Sequence, residues 1–269
     1  MTIGDATLVV EREGPVVVLT MNRPERKNAL TIDMIIRMAD AWDMIDGDDK
    51  IRCAILTGAG TSYCVGGDMS DGWMAGGGHR DPTIDARMKD DPAIIGKGLL
   101  LTRWLRKPLV AAVNGECLGG GCEMLQQTDI RVAEERAIFG VPEARRGLIA
   151  GAGSTMRLKR QIPYTIAMEM LITGRILSAD EALRWGLVGH VVPRGTALDK
   201  AREIAAVICA NGPLSVAASK ASAVETGWLP EDQARPIEGG YASVVTRSQD
   251  AREGMKAFTE KRPPHFTGH

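Results

Sequence analysis

Residues 111–123 read AAVNGECLGGGCE, an apolar run that stops at Asn114-Gly115 and continues into three glycines and a glutamate. The run that leads into it, Leu109–Val113, is short and bounded by turn residues, which predicts a buried strand. Three glycines permit a tight backbone, and a helix that starts there exposes N–H groups with no acceptor inside the helix. The stretch therefore predicts a strand, a glycine corner and a helix start.

Outward from this stretch, the N-terminal half alternates strands and helices. Short apolar runs predict buried strands at Val16–Leu19 and Cys53–Leu56. Between them, apolar residues recur at helical spacing over Ile35–Ile45, which predicts a helix capped at about Thr31 and ended by Gly47. Such alternation is typical of an α/β fold.

The rest of the chain adds short strands and then helices. We predict strands at Arg131–Ala133, Ala137–Phe139 and Leu187–Val192, and a capping box at Ser178–Glu181 that opens a short helix. The last third is mostly helical, with candidate helices at Leu198–Ala210, Pro213–Glu225 and Ala251–Lys261. Residues 71–92, which contain Gly76–Gly78 and two prolines, predict a long mobile loop.

Composition and charge exclude several classes of protein. The 269 residues carry 33 Lys+Arg against 34 Asp+Glu and only 4% aromatics, which disfavours a nucleic-acid partner. No run approaches the 18 apolar residues of a membrane span, and no signal or transit peptide is evident. The five cysteines contain no C-x-x-C and the four histidines form no metal motif, so we expect a reduced, cytoplasmic protein without a metal.

Glycine is the one unusual component, with 31 residues concentrated in a few clusters. The corner at Gly119–Gly121 would present helix N–H groups to a negatively charged oxygen. The corner at Tyr63–Asp68 also follows a strand and could supply a second N–H group. Two such corners would make an oxyanion hole, and the alternative is that the glycines merely build turns.

Two glutamates stand in apolar surroundings. Glu123 lies within Cys122–Leu125, and Glu143 follows a predicted strand and a proline turn. A carboxylate in such a context either pairs with a base or has a raised pKa and transfers protons. If the two converge, they could share one water as general base and general acid. The bases that could instead form ion pairs with them are Arg131, Arg145 and Arg146.

Taken together, these residues resemble the enoyl-CoA hydratase/isomerase (crotonase) family over essentially the whole chain. The resemblance is carried in order by residues 22–30 (NRPERKNAL), 66–69 (GGDM), 111–123, 139–147 (FGVPEARRG), 168–186 and 253–266 (EGMKAFTEKRPPHF). It implies an α/β fold with a crotonase-like spiral of ββα turns over residues 1–195. It also implies a mostly helical C-terminal region, residues 196–269, that assembles a homotrimer or a hexamer of two trimers.

The resemblance also implies a site and a reaction. In the family, amides at the positions of Gly67 and Gly120 bind the thioester carbonyl oxygen, and hydratase members retain both Glu123 and Glu143. The chain is therefore expected to be an enoyl-CoA hydratase, a lyase in which coenzyme A belongs to the substrate and no cofactor is needed. The positions that match substrate- or CoA-binding residues are Lys27, Ala29, Gly67, Asp68, Met69, Gly120, Phe258 and Lys261. The plain alternatives are a solvated lysine at 27 or 261 and a core aromatic at 258.

Some features leave the reaction open. The stretch Glu181–Gly186 resembles carnitinyl-CoA dehydratases, and the family also contains Δ3-Δ2-enoyl-CoA isomerases. A non-catalytic acyl-CoA binding protein is the third alternative. An insertion at residues 72–82 bears on the acyl pocket, and Ala150 stands where many hydratases have proline. The pair Arg145-Arg146 predicts a lowered pKa for Glu143.

Overall fold

The computed structural model describes residues 7–70 and 81–269, which form two sheets surrounded by helices. The nine strands of the described residues are β1 (Leu8–Glu13), β2 (Val16–Met21), β3 (Cys53–Gly58), β4 (Leu109–Val113), β5 (Glu116–Leu118), β6 (Ile130–Glu134), β7 (Ile138–Gly140), β8 (Ile176–Ser178) and β9 (His190–Val192). The larger sheet has the order β1-β2-β3-β4-β6-β9; β1 is antiparallel to β2 and the later neighbours are parallel. The smaller sheet has the order β5-β7-β8.

The helices follow the strands and confirm the predicted α/β class. Those in the described residues are α1 (Ile32–Gly47), α2 (Pro82–Asp90), α3 (Ile94–Gly98), α4 (Gly120–Leu125), α5 (Ser154–Gln161), α6 (Tyr164–Thr173), α7 (Ala179–Arg184), α8 (Ala197–Ala210), α9 (Pro213–Thr226), α10 (Glu231–Thr246) and α11 (Gln249–Glu260). Short 3-10 helices lie at Pro24–Arg26 and Pro142–Arg146.

Strands β2, β3 and β4 are covered on both faces, which explains why they read as continuous apolar runs. Val17 and Leu19 point into a core that includes Trp42 of α1. Val18 points the other way, into a core with Ala201 and Ala205 of α8. The small side chains of α8 let this helix lie close against the sheet.

The predicted helix caps are confirmed, and one predicted strand is shorter than expected. Thr31 caps α1, since its hydroxyl accepts a hydrogen bond from the Met34 amide at 3.2 Å. The capping box at Ser178 and Glu181 opens α7 as predicted. The strand predicted at Leu187–Val192 is shorter than expected, because only its last three residues pair with β6.

The predicted loop over residues 71–92 is wrong for its second half. Residues Pro82–Asp90 form α2, because the Asp81 carboxylate accepts a hydrogen bond from the Thr83 amide at 2.8 Å and proline suits the first helical position. Residues 71–80, which include Gly76–Gly78 and most of the expected insertion, lie outside the described residues.

The C-terminal region consists of α8 to α11. Helix α10 was not predicted, because Pro236 and two glycines interrupt its pattern; it has no buried residue, and α9 buries only Ala221. In the described part of the chain no single helix is long and apolar enough to cross a membrane. Helices α8 and α9 reach the length and apolar composition of a membrane span only when they are taken together. The chain bends by 109° at the break between them.

Candidate active site

The two glycine corners predicted from the sequence meet in the structure. The Tyr63 and Cys64 amides donate to the Glu116 carbonyl of β5 at 3.1 and 3.0 Å, and the Leu118 amide donates to the Cys64 carbonyl at 2.9 Å. A Cβ added to Gly66 would lie 3.1 Å from the amide nitrogen of Gly120. The corners are therefore in van der Waals contact, and glycine is required at the contact.

The amides of Gly67 and Gly120 lie next to each other at this contact. A Cβ added to Gly120 would lie 3.8 Å from the Gly67 amide nitrogen. The Leu30 amide donates to the Gly66 carbonyl at 2.8 Å, and the Asp68 amide donates to the Leu30 carbonyl at 2.9 Å. These two bonds form a parallel bridge between Leu30 and Gly67. In such a bridge the N–H group of Gly67 points away from Leu30. Gly120 is the first residue of α4, so its N–H group has no acceptor inside the helix. The pair has the composition of an oxyanion hole.

Asp68 holds the first corner in place. Its side chain is 4% exposed and forms ion pairs with Arg23 at 3.0 Å and Arg26 at 3.3 Å. Burial acts to raise the pKa of Asp68, but hydrogen bonds from Ser70, Arg23 and Arg26 outweigh it and hold the pKa well below its usual range. The Asp68 carboxylate is therefore paired within the protein, and these contacts hold the backbone next to Gly67.

Glu123 lies in the first turn of α4, one turn from the glycine corner, and is 4% exposed. Its Oε1 accepts a hydrogen bond from the Ser154 amide at 3.3 Å. Burial and the negative charge of Glu143 raise the pKa of Glu123 to about 7, although the hydrogen bonds from Ser154 and Ala152 act to lower it. Glu123 can therefore exchange a proton near neutral pH.

Glu143 lies on the 3-10 helix Pro142–Arg146, opposite the same corner. Its Oε1 lies 3.0 Å from where a Cβ of Gly119 would be, and its Oε2 is buried with no hydrogen-bond partner among the described residues. Burial raises the pKa of Glu143 even though its own amide and Arg146 act to lower it. Arg146 therefore acts in the predicted direction, but burial outweighs it, and the predicted net lowering of the pKa is wrong. Arg145 donates instead to the Thr173 carbonyl at 3.1 Å.

The ion pairs considered as alternatives for the two glutamates do not form among residues 7–70 and 81–269. Arg131 donates to the carbonyls of Leu187 at 3.0 Å and of Gln126 and Thr128 at 3.2 Å, away from both glutamates. Two carboxyl groups with raised pKa values thus face one glycine corner. This arrangement suits the transfer of protons to and from a substrate whose carbonyl oxygen gains negative charge.

The remaining predicted residues lie farther out. Lys27 is 59% exposed and forms an ion pair with Glu116 at 3.0 Å, whereas Ala29 is buried beside Leu30 and Met69 is 58% exposed. Phe258 of α11 is 87% exposed, so its alternative as a core aromatic is wrong.

Lys261 ends α11 in the left-handed conformation, with φ 54°. In the part of the chain that the structure describes, neither Phe258 nor Lys261 forms a hydrogen bond with the corners or glutamates.

Sequence reasoning missed the residues that hold Glu123. Ser154 is fully buried, and its hydroxyl accepts a hydrogen bond from the Gln126 side chain at 2.7 Å while its amide contacts Glu123. Residues 151–153 read Gly-Ala-Gly, but nothing in the sequence links this stretch to a glutamate 28 residues or more away.

Comparison with known proteins identifies the family. The family model for enoyl-CoA hydratase/isomerase matches residues 11–269. The chain is 47% identical over 260 residues to enoyl-CoA hydratase EchA19 of Mycobacterium tuberculosis, covering 96% of this chain and 95% of that protein. It is 37% identical over 271 residues to carnitinyl-CoA dehydratase of Salmonella agona, covering 97% and 98%.

A solved structure from Mycobacterium abscessus, described as an enoyl-CoA hydratase/isomerase, superposes with a TM-score of 0.88 at 60% identity, covering 97% of this chain and 99% of that one. The chain belongs to the enoyl-CoA hydratase/isomerase family, and the predicted crotonase-like fold is confirmed.

Proposed function

We propose that this member of the enoyl-CoA hydratase/isomerase family is a hydro-lyase that adds water reversibly across the 2,3 double bond of a 2-enoyl-CoA thioester. The observation that carries the proposal is the pair of buried carboxyl groups, Glu123 and Glu143, both with raised pKa values, beside the adjacent amides of Gly67 and Gly120. Hydration needs both kinds of group. The amides stabilise negative charge on the carbonyl oxygen, and the carboxyl groups carry out the two proton transfers.

The thioester carbonyl oxygen is held by the N–H groups of Gly67 and Gly120. When water adds to C3, electrons move through C2 to this oxygen, which gains enolate charge. The two hydrogen bonds strengthen at that moment, and losing one such donor typically costs about 3–4 kcal/mol in the barrier. Since the Gly67 amide is flanked by two backbone hydrogen bonds to Leu30, it is already oriented before the substrate arrives.

The two glutamates divide the proton transfers. Ionised Glu123 takes a proton from water as the water oxygen bonds to C3. Protonated Glu143 gives its proton to C2 as the enolate collapses. Because the negative charge of Glu143 raises the pKa of Glu123, the ionisation of the two groups is linked and their titration belongs to the pair.

Coenzyme A is held by groups outside the reacting centre. Lys27, Phe258 and Lys261 are the candidates for its phosphates and adenine, and Ala29 and Met69 for the part near the thioester. The 87% exposure of Phe258 and the absence of any buried residue on α10 support assembly into a homotrimer or hexamer, in which α11 meets a neighbouring subunit. Five free cysteines support a cytoplasmic location.

The proposal is tested with crotonyl-CoA, whose enoyl thioester absorbance falls on hydration. Glu123→Gln and Glu143→Gln should each lower the rate by at least about 100-fold. Rates near wild type in both variants would overturn the two-carboxylate mechanism.

A second candidate, dehydration of carnitinyl-CoA, is favoured by the 37% identity to the Salmonella dehydratase. Glu181, within the stretch that suggested this reaction, forms the α7 capping box and an ion pair with Arg175, which is a structural role. A panel of acyl-CoA esters that includes carnitinyl-CoA and a 3-enoyl-CoA, with product analysis, separates hydratase, dehydratase and isomerase. Calorimetric binding without turnover of any panel member would indicate a non-catalytic binding protein.

A further inference from the structure

Helix α5 begins at the residue that holds Glu123. The Ser154 amide donates to Glu123 at 3.3 Å, so any movement of the start of α5 moves this hydrogen bond. The residue before it, Gly153, has φ 119° and offers no side-chain cap to the helix. The start of α5 must therefore be held by some other group.

Arg157, one turn into α5, supplies that hold. Its guanidinium donates to the Ala152 carbonyl at 3.4 Å and to the carbonyls of Leu100 and Leu101, both at 3.2 Å. A Cβ added to Gly153 would lie 2.3 Å from a guanidinium nitrogen of Arg157, so the guanidinium lies directly against the Gly153 backbone. The planar fork of arginine can bond several carbonyls at once, which lysine cannot do in the same way.

The carbonyls of Leu100 and Leu101, to which Arg157 donates, belong to a strained turn. Leu100 is fully buried and has φ 54°, a conformation that a leucine rarely adopts. Its carbonyl accepts a hydrogen bond from the Gln127 side chain at 2.6 Å as well as from Arg157. Arg157 thus connects two segments: the strained turn at Leu100 and the loop that leads into Ser154.

Arg157 also brings charge toward the site. Arg157 is partly buried, and its hydrogen bonds within the described residues go to backbone carbonyls rather than to a carboxylate. Burial lowers the pKa of the Arg157 guanidinium, and the negative charge of Glu123 acts in the opposite direction. The charged groups that interact electrostatically with Glu123 therefore include Glu143 from the 3-10 helix and Arg157 from α5.

We propose that Arg157 is a positioning residue for Glu123: its guanidinium ties the Gly153–Ser154 backbone to the turn at Leu100 and so keeps the Ser154 amide on the Glu123 carboxylate. The proposal rests on the proposed function, because it assigns Arg157 a part in presenting the general base. It concerns a residue that need not touch the substrate.

The test compares Arg157→Gln and Arg157→Lys with Lys159→Gln, a matched loss of charge at an exposed position on the same helix. With crotonyl-CoA, Arg157→Gln should lower kcat by about tenfold or more while KM stays within about threefold, and the acid limb of the pH–rate profile should move up by about one pH unit. Arg157→Lys should keep the acid limb of wild type but recover only part of kcat. Lys159→Gln should match wild type in both.

Circular dichroism and thermal melting check that each variant folds. An Arg157→Gln enzyme with wild-type kcat overturns the proposal, and so does one whose kcat falls while the acid limb stays in place, because that indicates a purely structural role. If Arg157→Gln does not fold, Arg157→Lys decides, and wild-type kcat in that variant overturns the proposal.

A readout without turnover separates this proposal from the proposed function. Carbon-13 NMR of glutamate-labelled protein, with Glu123→Gln to assign the signal, gives the titration midpoint of Glu123 directly. If wild type hydrates no acyl-CoA, the proposed function fails, yet an upward move of the midpoint in Arg157→Gln still supports Arg157. An unchanged midpoint overturns it.

Discussion

Replacing Glu123 by glutamine should make the protein more stable at neutral and alkaline pH while it abolishes most activity. The carboxyl group is 4% exposed, and its pKa is about 7 in the folded protein against an ordinary value of 4.5. In the folded state above pH 7 the chain therefore holds a charge that its surroundings disfavour. Glutamine has nearly the same shape and no charge.

The magnitude follows from the difference between the two pKa values. About 2.5 pH units at 1.36 kcal/mol each is about 3 kcal/mol. Because the folded pKa is raised, this cost is absent below about pH 4.5, where the group is protonated in both states, and grows until the pH passes about 7. The hydrogen bond from Ser154 is weaker to an amide than to a carboxylate, so the net gain is expected at about 1–3 kcal/mol.

Urea denaturation of wild type and Glu123→Gln at about pH 5 and about pH 8, at one protein concentration, measures the effect. The free energies of unfolding should be close at the lower pH and separate in favour of the variant at the higher pH. Glu135→Gln, which changes an exposed glutamate, is the control and should show no such divergence. A Glu123→Gln protein that is less stable than wild type at pH 8, or a gain that does not depend on pH, would refute the reasoning.

Three further predictions follow from the site. The kcat/KM for crotonyl-CoA should fall on the acid side with a midpoint near the Glu123 pKa of about 7, since protonation removes the general base; a profile flat from about pH 5 to 8 would contradict this. Gly66→Ala should lower kcat by about 100-fold, because its Cβ would lie 3.1 Å from the Gly120 amide nitrogen. Gly14→Ala, at a residue with φ 61° and nothing within 4 Å of the added Cβ, is the control and should lower stability alone. Equal kcat in the two variants would contradict the assignment of the oxyanion hole. Phe258→Ala should change the free energy of unfolding by less than about 0.5 kcal/mol, because the side chain is exposed, but it should raise KM for crotonyl-CoA several-fold. KM for a pantetheine thioester, which lacks the nucleotide, should stay the same. Equal effects on both thioesters would exclude a contact between Phe258 and the nucleotide.

The sequence predicts the strands and helices whose pattern is decided locally. The apolar runs that became β2, β3 and β4 need burial on both faces, and the Thr31 cap needs only the amide three residues on. Helix α10 was not predicted, because Pro236 lies inside it and proline has a very low helix propensity. It lies against α9, where the Tyr241 hydroxyl donates to the Glu225 carboxylate at 2.8 Å, and that contact is not visible in the sequence.

The candidate site was predictable residue by residue but not as an arrangement. The apolar surroundings of Glu123 and Glu143 left two alternatives open, an ion pair or a raised pKa. Only the fold shows that both carboxyl groups face one glycine corner and have raised pKa values. The error over Arg145 has the same origin. Adjacency in the chain suggested that its charge would act on Glu143, whereas its side chain extends away to the Thr173 carbonyl.

The two bridges that build the glycine corners join distant parts of the chain, Leu30 to Gly67 and Cys64 to Cys117. Contacts of such long sequence separation form late in folding, because the loops between them must close first. A partly folded chain can hold most of its helices and still lack both amides of the oxyanion hole. During refolding, enzymatic activity is therefore expected to lag behind the return of helical signal, and it reports the last step of folding rather than the collapse of the core.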